Sequence, residues 1–280
     1  HNLREVIDAL QILIDDPEAP LKDLMKVLPG PDFPTAGYIY GRAGIKEAYE
    51  TGRGKITLRA RMMVEQMKGG REALIVTEIP YQVNKANLIS SIAELARDKK
   101  IDGISDIRDE SDKSGMRIMI ELKKDTLPQV VINNLYKMTQ CQVTFGIILL
   151  ALDGNRPRYL SLRRILQCYI DHRREVVVRR TRFDLDKARK RSHIVEGLRK
   201  AVENIDRVIK IIRAAETTEE ARTNLKADLK LTDEQATAIL DMPLRRLTGL
   251  EIDKLVQERK ELVATIEELA GILADPGKVT

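Results

Sequence analysis

Five cationic side chains in the first quarter of the chain have the types and spacing that suit contact with a phosphate backbone. They are Arg42, Arg53, Lys55, Arg59 and Arg61. From residue 55 onward polar and apolar residues alternate, which predicts a β-strand with Lys55, Arg59 and Arg61 on one face. Residues two apart on a strand lie ~6.6 Å apart, close to the spacing of phosphates along one DNA strand. The pattern therefore suits contact with a phosphate backbone, without reading of bases.

A solvated strand face explains the same alternation, so two interpretations of these cations stay open. Residues 52–55, Gly-Arg-Gly-Lys, suggest a loop that cradles phosphate, but they lack the spacing and the following helix of a P-loop. A second cationic region covers residues 161–193, where eleven Lys and Arg outnumber four acids. There, long cationic side chains that cover apolar surface explain the pattern as well as transient contact with DNA does.

Three carboxylates between two predicted strands could hold Mg²⁺, those of Asp109, Glu110 and Asp112. With this metal the chain would be an independent nuclease. The alternative is an acidic turn, in which Asp and Ser side chains bond back to nearby backbone N–H groups. The turn is the favoured interpretation.

The histidines and cysteines do not predict a metal site. His1, His172 and His193 are too far apart to suggest shared ligation, and Cys141 and Cys168 have no partner at ligand spacing. Two cysteines form no disulfide framework, which fits a reducing, cytoplasmic compartment. We therefore expect no metal ligand and no cofactor in this chain.

The composition excludes several classes of protein. Hydrophobic residues make up 43% of the 280 residues and charged residues 32%, as in a globular protein with a highly charged surface. Aromatic residues make up only 4%, which argues against stacking on single-stranded nucleic acid. No apolar run reaches the roughly 18 residues of a membrane span, so we expect no membrane partner. Because the chain opens at His1 rather than Met, we expect a fragment of a longer protein.

Residues 1–160 have the pattern of an α+β domain. Short helical pieces precede a rigid loop at residues 29–35, where three prolines forbid helix. Two strands joined by a hairpin turn at residues 68–70 follow, and a helix begins after its cap Asn84. A second pair of strands and a second helix complete the order ββαββα. This order predicts an antiparallel sheet with helices on one side.

After residue 160 the pattern becomes helical. No proline or turn cluster interrupts residues 161–213, which predicts one helix of ~50 residues, ~80 Å long. This segment and residues 250–280 carry apolar residues at heptad spacing. The two seams are Ile194, Leu198, Ala201, Ile205, Val208 and Ile212, and Leu255, Arg259, Leu262, Ile266, Leu269 and Leu273. Matching seams predict a long antiparallel coiled coil.

Residues 214–249, between the two segments, predict a small helical globular tip. Thr232 to Gln235 form a capping box that opens one of its helices. A hairpin with a small knob cannot bury all of its apolar residues, so we expect some of them to meet a two-fold-related copy. The candidate residues of this dimer interface are Met242, Leu244, Leu247 and Leu250.

Short blocks that follow one another along the whole chain resemble bacterial type IIA topoisomerases. They comprise residues 30–35 (GPDFPT), 49–55 (YETGRGK), 79–85 (IPYQVNK), 108–112 (RDESD) with 115–118 (GMRI), 133–136 (NNLY), 235–242 and 247–251 (LTGLE). Gly30 before Pro31 and Met116 after Gly115 are more similar to the A subunit of DNA gyrase than to that of topoisomerase IV. Pro243 and Arg245, between the last two blocks, depart from the polar and Gln residues more usual there.

This resemblance implies a division of labour. Residues 1–160 would form the tower that braces the cleaved DNA segment. Residues 161–213 and 250–280 would form the coiled coil, and residues 214–249 the dimeric exit gate, or C-gate. The catalytic tyrosine of the family lies in an Arg-Tyr pair of an upstream winged-helix domain. Tyr159, although it follows Arg158, lacks the motif around that pair, so we expect it to be structural.

The resemblance also implies partners and activity. The parent enzyme would be an ATP-dependent topoisomerase in which two A and two B subunits of gyrase assemble, with ATP and Mg²⁺ bound by the B subunit. The chain itself would be non-catalytic, binding double-stranded DNA and forming a homodimer. The alternatives are a fragment of the topoisomerase IV A subunit and a purely structural coiled-coil dimerisation module.

Overall fold

The computed structural model describes residues 1–67, 69–243 and 249–280. The chain divides into two compact units, residues 1–170 and residues 171–280. Each unit contains its own clusters of buried apolar side chains. Within the described ranges, no helix combines the length and apolarity needed to cross a membrane.

The first unit opens with helices and a short strand. Helix α1 (Leu3–Asp15) begins after Asn2, whose side chain accepts hydrogen bonds from two backbone N–H groups of the first turn. It is followed by α2 (Leu21–Val27), strand β1 (Tyr38–Tyr40) and α3 (Ala43–Thr51). Neither β1 nor α3 was evident from the sequence pattern.

The first sheet has three antiparallel strands. Its central strand, β2 (Arg53–Arg59), pairs with β1 on one side and with β7 (Gln142–Ile148) on the other. Ile56 and Leu58 point inward and are 3% exposed. They belong to a cluster with buried residues of the first three helices and of the chain from Leu162 to Ile170.

The strand predicted from residue 55 is shorter than expected. It ends at Arg59, and Ala60 leads into β3 (Arg61–Gln66), which belongs to a different sheet. The Ala60 N–H donates to the carbonyl of Cys141, and its carbonyl accepts from the hydroxyl of Tyr136. Because both backbone groups of buried Ala60 bond outside the β3 ladder, the chain passes from one sheet to the next at this residue.

The second sheet has four antiparallel strands in the order β3-β4-β6-β5. Its other strands are β4 (Glu72–Glu78), β5 (Ile104–Asp109) and β6 (Ile118–Leu122). Helices α4 (Lys85–Arg97) and α5 (Pro128–Met138) pack on one face, where their buried residues form one cluster with those of the strands. The predicted α+β class is confirmed, as are the β3–β4 pair and the cap at Asn84.

A separate two-stranded hairpin follows the first sheet. Strands β8 (Leu150–Asp153) and β9 (Arg156–Tyr159) pair around Gly154 and Asn155, whose φ angles are 56° and 63°. Two successive positive φ values are typical of the tight turns that match the twist of a hairpin.

The second unit is helical. Helix α6 (Leu162–Glu203) begins in the first unit, and α7 (Ile205–Ala214), α8 (Thr218–Leu229), α9 (Asp233–Leu240), α10 (Gly249–Ala274) and α11 (Pro276–Val279) follow. The expectation of one helix to residue 213 was wrong, because the chain breaks at Asn204, with φ −124° and ψ 36°. The Asn204 side-chain amide donates to the carbonyl of Lys200, so it competes for a helical backbone acceptor. The predicted capping box at Thr232 is confirmed.

Helices α6 and α10 lie antiparallel. Arg174, near the start of the second unit, donates to Thr280 across 3.1 Å, whereas Arg191, further along α6, donates to Glu258 across 2.6 Å. Leu255 and Leu262 of α10 pack in one cluster with Val195 and Leu198 of α6, among other residues. The long antiparallel pair that the seams predicted is thus present.

The predicted seam holds at Val208 and fails at Ile212. Val208 is 2% exposed and belongs to the buried cluster, whereas Ile212 is 37% exposed. Ile211 packs against this cluster in its place, and α7 packs on α8.

Candidate nucleic-acid interface

The outer face of the first sheet carries most of the predicted cations. Arg53 and Lys55 of β2 are exposed, Thr57 and Arg59 are half-buried, and the residues between them are buried. The alternation that the sequence predicted is therefore confirmed over this strand. Arg42 is exposed and occupies the N-cap position of α3, the helix that follows β1 along the chain, without a capping bond from its side chain.

The neighbouring strands complete this face with polar, aromatic and small residues. Opposite Arg59 lie Tyr38 of β1 and Gln142 of β7, and opposite Thr57 lie Tyr40 and Thr144. The residues of the outer face are Tyr38, Tyr40, Arg53, Lys55, Thr57, Arg59, Gln142, Thr144, Gly146 and Ile148. None of these described residues is a carboxylate, so the face is cationic without internal neutralisation.

Close backbone packing fixes the position of β2. A Cβ on Gly44, in the first turn of α3, would lie 1.8 Å from the carbonyl oxygen of Lys55. A Cβ on Gly54 would lie 2.3 Å from the carbonyl oxygen of Gly44. Only glycine at both positions lets the helix approach the strand this closely. The inner side of β2 is therefore held by backbone contact, which leaves its outer side chains free to face solvent.

Arg59 is held by three neighbours. Its guanidinium carbon lies 3.7 Å from the ring centre of Tyr40 and 4.7 Å from that of Tyr136. Its Nε donates to the side-chain oxygen of Gln142 across 2.7 Å. The two terminal nitrogens have no hydrogen-bond partner among the residues that the structure describes. The guanidinium is thus oriented in advance, with donors left for an anion.

Tyr136 is itself held by a hydrogen bond to the backbone. Its hydroxyl donates to the carbonyl of Ala60 across 2.9 Å. Burial raises the pKa of this phenol above its ordinary value. The ring that supports Arg59 therefore stays neutral and anchored to the junction between the two sheets.

Arg61 differs from the other cations. It is the first residue of β3, and it donates to Glu78 across 3.1 Å. This hydrogen bond raises the pKa of the guanidinium. The second oxygen of Glu78 accepts from the backbone N–H of Gly37 across 2.8 Å. Arg61 thus links β3, β4 and the loop before β1, with part of its charge compensated.

Arg53, Lys55 and Arg42 differ in their partners. The Arg53 guanidinium lies over the ring of Tyr159, 3.8 Å from its centre, and donates to its hydroxyl. The side chains of Lys55 and Arg42 have no hydrogen-bond or ion-pair partner within the described part of the chain. These two cations are the ones most available to a bound polyanion.

The acidic turn at residues 109–115 is a hydrogen-bonded turn. Asp109 accepts from the N–H and hydroxyl of Ser111 at 3.1 and 2.6 Å and pairs with Lys85 at 2.7 Å. Lys85 and Ser111 lower the pKa of this carboxyl to about 2. Asp112 bonds to Ser114 in the same way. Across the described residues, His, Cys, Asp and Glu form no group of three that could hold a metal ion. Asp109 and Asp112 accept from backbone N–H groups two residues on, as the sequence predicted for an acidic turn.

Comparison with known proteins agrees with the sequence blocks. The family of the A subunits of DNA gyrase and topoisomerase IV matches residues 1–280. The chain belongs to this family. It is 55% identical over 279 residues to the DNA gyrase A protein of Clostridium acetobutylicum, 53% over 280 residues to that of Streptococcus pneumoniae and 50% over 279 residues to that of Leptospira biflexa. These alignments cover 100% of the chain but 34%, 34% and 33% of the relatives, so the chain spans about a third of their length.

Of the four predicted dimer residues, Met242 is the one whose side chain the structure describes. Met242 is half-buried against the cluster that joins α6, α8, α9 and α10. Leu244 and Leu247 lie outside the described residues. Leu250 belongs to α10, and its side chain lies outside the described part as well.

Sequence reasoning missed the aromatic part of the interface. Tyr40 and Tyr136 both stack on Arg59, and the sequence analysis named neither as a site residue. The only sequence signal for Tyr40 is its alternation with Tyr38 in a three-residue strand between Gly37 and Gly41, whose φ angles are 88° and 89°. A strand this short lies below the length at which periodicity is informative.

Proposed function

We propose that this chain is the part of a gyrase-type A subunit that holds the backbone of a cut DNA duplex and closes the exit gate by self-association. One observation carries the DNA role: the outer face of the first sheet combines three cations with no carboxylate among its described residues. Phosphate oxygens are the acceptors that such a face selects, and contacts of this kind position a duplex without reading its sequence.

The arrangement of the cations suits a holding role. Lys55 and Arg42 offer mobile charges, whereas Arg59 offers a guanidinium already oriented by Tyr40, Tyr136 and Gln142. Resealing of a cut duplex requires that both broken ends stay aligned. A sheet fixed by glycine contacts to α3 suits this task, because it limits movement of the bound backbone.

The parent activity that we propose is ATP-dependent strand passage by a type II topoisomerase in the cytoplasm. We assign no catalytic residue and no cofactor to this chain. The cleaving tyrosine would lie in an upstream domain of the parent protein, whereas ATP and Mg²⁺ would be bound by the B subunit of an assembly with two copies of each. The relatives named above are DNA gyrase A proteins, which favours gyrase over topoisomerase IV.

Salt dependence of duplex binding tests the DNA role. Replacing Arg42 and Lys55 together by Ala removes two cations that have no carboxylate partner within the described ranges. Each lost phosphate contact lowers the slope of log affinity against log salt by about 0.9, so the double variant should lose roughly 2 units of slope. Fluorescence anisotropy with a labelled duplex measures this.

The matched control is Lys113→Ala with Lys124→Ala, which removes the same charge from exposed loops at either end of β6. The control should keep the slope of the unmodified chain. An equal slope for all three proteins would reject the sheet face as a DNA site, and absence of duplex binding at low salt would favour the purely structural dimerisation module.

We further propose that residues 1–160 act as the tower, residues 161–213 and 250–280 as the coiled coil, and residues 214–249 as the C-gate tip. Leu244→Asp combined with Leu247→Asp should then convert a dimer into a monomer, because it places two charges in an apolar contact. Light scattering measures the mass. Leu127→Asp, at a leucine that is 71% exposed, is the control and should leave the dimer intact.

A further inference from the structure

A cationic cleft lies between α2 and α3, next to the proposed DNA face. Its volume is about 660 Å³. Eight residues line it: Leu21, Lys22, Met25, Lys26, Pro29, Arg42, Lys46 and Glu50. Four of these are cations and one is a carboxylate, so the lining has a large excess of positive charge.

Only part of this charge is compensated. Lys26 pairs with Asp23 at 2.7 Å, and Lys46 lies 3.7 Å from Glu50. Lys22 and Arg42 have no carboxylate partner in the part of the chain that the structure describes. The remaining lining residues are apolar, and low-polarity walls strengthen the field of the cations around them. The cleft is therefore suited to an anion.

The cleft meets the outer face of the first sheet at Arg42. Tyr40, the last residue of β1, pairs with Thr57, and Gly41 then turns the chain with a φ of 89° into Arg42. Gly44, two residues later, abuts the carbonyl oxygen of Lys55, so α3 continues from Arg42 along the inner side of β2. Arg42 thus belongs both to the border of the sheet face and to the lining of the cleft.

We propose that this cleft binds a backbone phosphate of the same DNA duplex that lies on the sheet face, with Lys22 and Arg42 as the principal contacts. This rests on the proposed function for the duplex itself, and it adds a second contact region beyond the sheet. A duplex that extends over the cleft gains phosphate contacts that a shorter duplex lacks. Its binding is therefore tighter and more sensitive to salt.

Duplexes of two lengths test the proposal. One of about 16 base pairs and one of about 30 span roughly 55 and 100 Å at 3.4 Å per base pair. The unmodified chain should bind the longer duplex more tightly than the shorter one. Between 50 and 200 mM salt, the affinity for the longer duplex should fall roughly 3.5-fold further than that for the shorter duplex for each added phosphate contact. The variant Lys22→Ala with Lys26→Ala should keep the affinity for the short duplex and lose much of the gain from length, with Arg42 supplying the remainder.

Lys113→Ala with Lys124→Ala is the matched control and should keep the full gain. Both Lys22 and Lys26 are exposed, so the cleft variant should melt at the temperature of the unmodified chain. A cleft variant that keeps the full length effect overturns the proposal.

Two further outcomes would favour an alternative, either a free polyphosphate ligand in the cleft or a DNA contact limited to the sheet face. Calorimetric titration with inorganic pyrophosphate reports on free polyphosphates. Saturable pyrophosphate binding that the cleft variant abolishes, together with no length effect, would assign the cleft to a free ligand and overturn the duplex contact. A lower salt slope for the short duplex in Lys55→Ala, but no effect of the cleft variant at either length, would leave the sheet face supported and reject the cleft alone.

Discussion

The guanidinium carbon of Arg59 lies 3.7 Å from the ring centre of Tyr40. Tyr40 is 64% exposed, so one face of this pair is covered by protein and the other is open to solvent. A cation held over an aromatic ring gains about 0.5–1 kcal/mol at an exposed site. The pair keeps Arg59 in one orientation on the face that we propose for DNA.

Removal of the Tyr40 ring should therefore weaken duplex binding. Tyr40→Ala should reduce affinity about 2- to 5-fold, because Arg59 must then be ordered on binding. Tyr40→Phe should bind as the unmodified chain does, since the ring suffices. Tyr169→Ala, at another exposed tyrosine, is the control. Equal loss in Tyr40→Phe and Tyr40→Ala would show that the hydroxyl rather than the stacked ring matters.

Local patterns predicted the parts of the fold that depend on neighbouring residues. The alternation at residues 55–59, the cap at Asn84 and the capping box at Thr232 are confirmed because each is a contact within a few residues of sequence. The matching heptad seams predicted the antiparallel helical pair. The structure also explains the cation in the apolar seam of α10, because Arg259 pairs with Glu196 of α6 at 2.7 Å.

Features that depend on distant residues were not predictable in this way. The change of sheet at Ala60 depends on Cys141 and Tyr136, some 80 residues away. The break at Asn204 depends on whether one side-chain amide bonds to the backbone or to water, and the sequence does not distinguish these. Stacking of Arg59 likewise requires β1 beside β2, and β1 is too short to predict.

Gly44 should be intolerant of any side chain. Gly44→Ala would place a Cβ 1.8 Å from the Lys55 carbonyl oxygen, a backbone atom that cannot rotate away. The expected loss in the free energy of unfolding is about 3 kcal/mol or more, as for severe overpacking. Gly146→Ala is the control, because its Cβ would meet nothing within 4 Å. Denaturant unfolding of both variants measures the difference, and similar stabilities would contradict the close approach of α3 to β2.

The acidic turn should bind no catalytic Mg²⁺. Lys85 and Ser111 occupy the Asp109 carboxylate, and Ser114 occupies that of Asp112. Titration with Mg²⁺ should therefore leave the melting temperature unchanged, and Asp112→Ala should not alter any nicking of plasmid DNA. Mg²⁺-dependent nicking that Asp112→Ala abolishes would instead support an independent nuclease.

Acid should selectively weaken the contact between α6 and α10 at Glu196. Its two carboxylate oxygens accept from Arg199 at 2.9 Å and from Arg259 at 2.7 Å. These two guanidinium groups, Arg199 first, lower the pKa of Glu196 to about 2 from its ordinary value of 4.5. Because the folded-state pKa is depressed, the stabilisation is fully present above about pH 4.5 and is lost as the pH falls from there towards 2. The pair is partly exposed, so we expect about 1 kcal/mol or less.

A double-mutant cycle of Glu196→Gln and Arg259→Gln isolates this contact. At pH 7 the coupling between the two changes should be favourable, and it should shrink as the pH falls from 4.5 towards 2, where the carboxyl of folded Glu196 takes up a proton. Both variants keep side chains of similar size, so packing of Leu255 and Leu262 against α6 should be preserved. Because Arg259 stays charged throughout, the loss on acidification must come from the carboxyl. A coupling that persists unchanged at pH 2 would mean that packing of the two side chains, and not the ion pair, joins the helices here.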